Sequence, residues 1–107
     1  MRVARISLPA SAKRGEIIQI RAIISHPMET GHRRDFKGAP IPRDIITEVT
    51  ARYDGAEIFR ADLFPAMSAY PYIAFHTRAS MTGPVIFRWR GDNGFDQSET
   101  AILVVKG

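Results

Sequence analysis

Cysteine is absent from the 107 residues, which excludes disulfides, thiolate metal ligands and thiol nucleophiles. Any sulfur chemistry this chain serves must be held by another molecule. No apolar run approaches the roughly 18 residues that a membrane-spanning helix needs. The opening Met1-Arg2-Val3-Ala4-Arg5-Ile6 enters a strand-like pattern directly, without the roughly 7–15-residue apolar stretch of a secretory signal. Taken alone, the chain is expected to be soluble and cytoplasmic, with no membrane contact. Blocks of like charge are missing as well. Lys+Arg number 15 against 11 Asp+Glu, a formal charge of +4, but the two signs interleave and no charged tail forms. A mild bias towards acidic partners follows.

What remains is a globular composition. Apolar residues make up 45% and aromatic residues 9%, outside the charge-rich, aromatic-poor range of disordered chains. A chain of this size buries roughly 65% of its unfolded surface around one core, so residues 1–107 are expected to form a single domain. Short segments rich in Val, Ile, Phe, Tyr and Thr recur between turn signals, and no long stretch keeps a 3.6-residue period.

Strands are expected at about Val3–Leu8, Glu16–Ser25, Asp44–Tyr53, Glu57–Leu63, Tyr72–Arg78, from Val85 through Trp89, and Glu99–Val105. Ile18, Ile20, Ala22 and Ile24 share one face of the second, with Ile17, Gln19, Arg21 and Ile23 on the other. Being apolar on nearly both faces, that strand is expected at the centre of its sheet. Asp54-Gly55 suits a type I′ hairpin turn. Val85, Phe87 and Trp89 alternate with Ile86, Arg88 and Arg90, which gives a buried aromatic face and a solvated one. Seven short strands between turns predict an all-β, immunoglobulin-like antiparallel β-sandwich. Strand counting leaves a small barrel open.

The stretch from Pro27 to Pro42, broken by Gly31, Gly38 and Pro40, reads as a long irregular loop. Loops beyond about 12–15 residues are uncommon in small domains and usually functional or disordered, so function is sought there first. His26, Glu29 and His32 are the one set with metal-ligand chemistry, but Pro27 and Gly31 argue against a helix presenting all three. No metal and no cofactor is expected. There is no Gly-x-Ser-x-Gly elbow and no Gly-rich phosphate loop followed by Lys-Ser/Thr, so the chain is not read as an enzyme. A basic β-barrel binding nucleic acid is the competing reading, on a pI near 10.0 and on Arg88 and Arg90 flanking Trp89.

Residue types enriched in interface cores lie on the irregular segments. Met28, Arg33, Arg34 and Arg43, with His26 and Glu29 at the start of the loop, form one group. Met67, Tyr70 and Tyr72, on the Pro65-to-Tyr72 bend, form the other. These nine are the candidate partner-binding residues.

The same segments carry a family resemblance. His26-Pro27-Met28-Glu29-Thr30-Gly31, Arg33-Arg34-Asp35, Ile41-Pro42-Arg43-Asp44-Ile45-Ile46, Ala61-Asp62-Leu63, Pro65-Ala66-Met67-Ser68-Ala69, Pro71-Tyr72, Phe87-Arg88-Trp89 and Asp92-Asn93-Gly94 together resemble SoxZ, the non-carrier subunit of the SoxYZ complex of thiosulfate oxidation. The resemblance implies an immunoglobulin-like sandwich that pairs with SoxY, whose C-terminal Gly-Gly-Cys-Gly-Gly arm holds the sulfur intermediates. This chain ends in Val104-Val105-Lys106-Gly107 and is not expected to be the covalent carrier. The implied role is to stabilise SoxY, in a heterodimer or a higher assembly, and to help present its arm through transient contacts with the other Sox enzymes. The resemblance also implies a periplasmic location, reached by co-export with a signal-bearing SoxY.

Overall fold

Residues alternating between apolar and polar with a period of two bury one face of a strand. Paired with a second such layer, they close a core without helices. A computed structural model, which describes residues 3–64 and 71–107, shows that arrangement. The strands are β1 (Ala4–Ser7), β2 (Ala12–Lys13), β3 (Ile17–Ile24), β4 (Ile46–Tyr53), β5 (Ala56–Asp62), β6 (Tyr72–Arg78), β7 (Gly83–Gly91), β8 (Asp96–Leu103) and β9 (Val105–Lys106). One sheet has the order β1-β3-β6 and the other β5-β4-β7-β8, each antiparallel throughout. Among the described residues neither sheet closes on itself or on the other, so the architecture is a sandwich rather than a barrel.

The central place expected for the second strand holds: β3 pairs with β1 and β6. Its inward series Ile18, Ile20, Ala22 and Ile24 is buried. The other face, read as nearly apolar, lies open on the outside of the sheet, with Ile17 53% exposed. Opposite β3 the core is filled by Val49, Ala51 and Tyr53 of β4 and Val85, Phe87 and Trp89 of β7. Aromatic rings cross it in a row. Phe59 stacks on Phe75 at 4.5 Å, Phe75 meets Phe87 at 6.0 Å, and Phe87 stacks on Trp89 at 5.6 Å. Because Phe75 belongs to one sheet and its neighbours to the other, this row ties the two layers together.

Asp54 and Gly55 both take positive φ, 54° and 72°, the geometry of the expected type I′ turn. Two expectations need correction. Ala12-Lys13, read as part of a turn, is a short strand that pairs in parallel with β9; two residues are too few for alternation to be visible. The last long strand begins at Asp96 and not Glu99, because Asp96-Gln97-Ser98, although polar, continues the ladder with Arg88–Arg90 of β7. Pairing decides that segment, and propensity does not.

Candidate protein-interaction arm

After β3 the inward parity does not stop at Ile24. His26 and Met28 continue the series of even-numbered buried positions, at 3% and 4% exposure. The His26 Nδ1 accepts the Met28 N–H at 3.0 Å, and its ring meets the Phe95 ring edge-on at 4.9 Å. Met28 takes φ 50°, a left-handed conformation uncommon outside glycine. That turn directs its sulfur inward, where it accepts the Ile46 N–H at 3.3 Å. These two residues, expected among the partner-binding set, are buried within this chain and root the arm in its core. Continued alternation places His26, and the left-handed turn places Met28.

Beyond Met28 the chain has no regular strand before β4, as its glycines and prolines predict, but the connection is not slack. It runs out and returns as a self-bonded hairpin. Glu29 and Asp44 exchange both backbone hydrogen bonds at 2.8 Å, the Ile41 N–H donates to the Arg33 carbonyl at 2.9 Å, and the Asp35 N–H donates to the Ala39 carbonyl at 2.9 Å. Prolines fit because the rungs use other residues' N–H groups. Gly31, at φ +90°, lies where the limbs approach closely: a Cβ there would stand 3.2 Å from that of Arg43.

Side chains brace this arm at four points. Arg43 holds Asp92 bidentately at 2.8 and 3.1 Å, and the same carboxylate accepts the Ile45 N–H at 3.1 Å. Arg33 grips Glu29 at 3.1 and 2.6 Å. Arg34 donates to the Gly38 carbonyl at 2.9 Å. At the tip, the Asp35 carboxylate accepts the N–H groups of Lys37 and Ala39 at 2.8 and 3.0 Å, an Asx-type turn. The radius of gyration is 16.3 Å and the long axis 60 Å, against about 13 Å for a compact domain of about 100 residues. A projecting arm accounts for such elongation.

The clamp at the arm's base titrates. The Arg43 guanidinium, hydrogen-bonded to Asp92, holds that carboxyl below its ordinary value of 3.8, with the Ile45 N–H acting in the same direction. Arg33 depresses Glu29 in the same way. A carboxyl whose folded pKa lies below its unfolded value contributes stability above the unfolded pKa and loses it as pH falls through the folded one. The base of the arm is therefore expected to stay closed down to the ordinary carboxylate range and to loosen only below it. The Ile45 amide resonance, followed by NMR in acid titration, should move with a midpoint under 3.8; a midpoint at or above that value would refute the clamp.

Of the remaining candidates, Met67 and Tyr70 lie outside the described residues. Tyr72 is 54% exposed on the outer side of β6, paired across the sheet with Ile23. Arg33, Arg34 and Arg43 are on the arm, but their guanidinium groups are engaged within the chain: Arg33 and Arg34 bond the arm's own acceptors, and Arg43 bonds Asp92 in the turn after β7. His26 and His32 do not converge on a metal site, and among the described residues no group of His, Asp and Glu does. Two residues escaped the sequence reading. Asp92 secures the arm from a distant turn, a contact that spacing cannot show. Phe36, 94% exposed at the tip, is a lone aromatic between Asp35 and Gly38, and that isolation in a polar stretch was the available signal.

The two outward sheet faces differ. On the larger sheet, Arg60 pairs with Glu48 and Glu57, and Arg88 with Asp96. On β1, β3 and β6 no acidic residue occurs, while Arg5, Arg21 and Arg78 do. Arg5 and Arg21 line a notch of about 200 Å³ together with Ser7, Ile23 and Tyr72.

Fold and arm define an immunoglobulin-like sandwich that carries a preformed projecting hairpin. Solved structures share the fold. The superoxide reductase (neelaredoxin) from Ignicoccus hospitalis superposes with a TM-score of 0.75 at 14% identity, over 96% of this chain and 80% of that one. The sulfur carrier protein SoxY from Chlorobium limicola f thiosulfatophilum superposes with a TM-score of 0.69 at 15% identity, over 97% and 79%. No curated protein matches the chain. The chain belongs to the SoxZ family, described as Sulphur oxidation protein SoxZ, whose profile matches residues 5–102.

Proposed function

We propose that this chain is a non-catalytic subunit of a sulfur-carrier complex: it pairs with SoxY and helps present the sulfur that SoxY carries. Family membership supplies the system, sulfur oxidation. The observation that carries the binding role is the arm, which is ordered by its own hydrogen bonds and ends on an exposed aromatic ring. Ordering such a segment before association removes much of the entropic cost of docking it. A chain without cysteine cannot hold the sulfur itself, so the covalent load belongs to the partner. Periplasmic residence, reached by export together with SoxY, is part of the same proposal.

Of the two features behind the nucleic-acid reading, the pI near 10.0 and the arginines flanking Trp89, the second loses its support. Trp89 is 2% exposed in the core and cannot stack on a base, and Arg88 is paired with Asp96.

Size-exclusion chromatography with light scattering, on this chain, on SoxY and on the two combined, tests the pairing. A stable 1:1 or 2:2 species is expected. Folded components that stay apart even when co-expressed would overturn the proposal.

A further inference from the structure

The distal half of the arm has one feature that its own folding does not require. Asp35 opens the turn and accepts two backbone N–H groups. The Gly38 N–H closes it on the Asp35 carbonyl at 3.0 Å, and the positive φ of 83° falls on Gly38. This is a type I turn followed by a left-handed glycine, a common three-residue hairpin end. Its first central position, occupied by Phe36, favours proline and accepts most residues. The turn would form as well with serine.

A scattered exposed apolar side chain needs no explanation, but Phe36 is not of that kind. At 94% it is the most exposed large apolar residue among those described, the other exposed ones lying between 38% and 67%. It also stands at the end of a braced projection. The Lys37 ammonium lies over its ring, 5.6 Å from the centroid. Aromatic side chains of this size dominate interface energetics when they enter a pocket, and a braced tip delivers the ring with little entropy left to lose.

Charge around the ring narrows what it can enter. Arg34 and Lys37 flank it, and neither has a carboxylate partner among the described residues: Arg34 bonds a carbonyl and Lys37 lies over the ring. Asp35 is occupied within the turn. With two basic side chains against the one acidic side chain of Asp35, the tip is an apolar point in a net positive setting, and its complement is an apolar pocket with an acidic rim.

We propose that Phe36 is the anchor by which this chain grips its carrier partner, its ring seated in an apolar pocket rimmed by carboxylates on SoxY. The inference rests on the pairing proposed above and names the group that makes it. Arg34 and Lys37 meet the rim and speed encounter, while the ring sets how long the complex lasts.

The test is titration calorimetry of purified SoxY with the wild-type chain and with Phe36→Ala, Phe36→Trp and Met81→Ala variants. Met81, 47% exposed, lies in the turn between β6 and β7 at the opposite end of the sandwich and controls for general stickiness. Phe36→Ala is expected to raise the Kd roughly 30- to 700-fold, the range for a central aromatic anchor, with an unchanged melting temperature. Phe36→Trp should retain most of the affinity, and Met81→Ala all of it. A double Arg34→Glu, Lys37→Glu variant should slow association at least about tenfold at low salt, with the difference shrinking as salt is added.

If the wild-type chain pairs with SoxY and Phe36→Ala pairs equally well, the anchor is wrong and the pairing stands. Absence of pairing by the wild type, even on co-expression, removes the pairing itself. Equal losses for Phe36→Ala and Met81→Ala would overturn the anchor. So would a Phe36→Ala effect confined to self-association of the isolated chain.

Discussion

Gly91→Ala should lower the melting temperature by at least about 10 °C, and more if the strand cannot shift. Gly91 is extended, with φ −163°, so its conformation suits any residue and its need is for space. A Cβ there would lie 2.3 Å from the Ile45 carbonyl oxygen and 2.8 Å from the Ile46 Cα. Both are backbone atoms with no rotamer to change. Gly91 is the β7 partner of Ile46, next to the register shift that bends β4 as the arm rejoins the sheet. Overpacking of ordinary side chains costs about 1–3 kcal/mol and occasionally more; a backbone clash belongs at or above that upper end. Each kcal/mol shifts the midpoint by roughly 4–8 °C in a domain near this size. Gly83→Ala is the control, because nothing lies within 4 Å of its Cβ, and its effect should stay within about 0.5 kcal/mol. Equal, small effects for the two variants by thermal melting would show that β4 and β7 can separate at no cost.

The second large effect is expected for Trp89→Ala, at about 3–5 kcal/mol of lost stability. Trp89 is 2% exposed and its ring stacks on Phe87 at 5.6 Å, at one end of the aromatic row that joins the sheets. Removing it leaves a cavity bounded by strands on both sides, which hydrogen bonding prevents from collapsing. Since Trp89 is the sole tryptophan, unfolding of the variant must be followed by circular dichroism. A loss below about 1 kcal/mol would mean that the core closes over the gap. Pairing with SoxY should survive in whatever fraction stays folded, which separates this residue's role from that of Phe36.

Several parts of the site were legible in the sequence for local reasons. Period-two alternation marks inward and outward faces one residue at a time, and it placed β3 at the centre and Trp89 in the core. Asp54-Gly55 marks its turn because few residues adopt two successive positive φ angles. The segment from Pro27 to Pro42 stood out because it breaks every regular pattern, and its glycines and prolines did signal a departure from the sandwich. They did not signal disorder. Gly31 is there for close approach and Gly38 for a left-handed turn, both features of a built hairpin.

Other parts were not legible. Met28 and His26 carry residue types common at interfaces, and both are buried in this chain: His26 because alternation continues past the end of β3, Met28 because its left-handed backbone turns the sulfur inward. Arg33 and Arg43 look like free cations when read alone. Their partners, Glu29 and Asp92, become visible only once the arm folds back and the turn after β7 comes to meet it.

The amino-acid sequence by itself determined the class of fold, the order of the main strands, the absence of any cysteine to hold sulfur and the family. Each depends on neighbours a few residues apart or on a pattern of residues in order. Only the tertiary structure decided that the long connection is a braced arm, that two of its expected contact residues are roots, and that Phe36 stands free at its tip. Those facts depend on contacts such as Arg43 with Asp92, between residues far apart in the chain, and exposure is a property of everything that does or does not pack against a side chain.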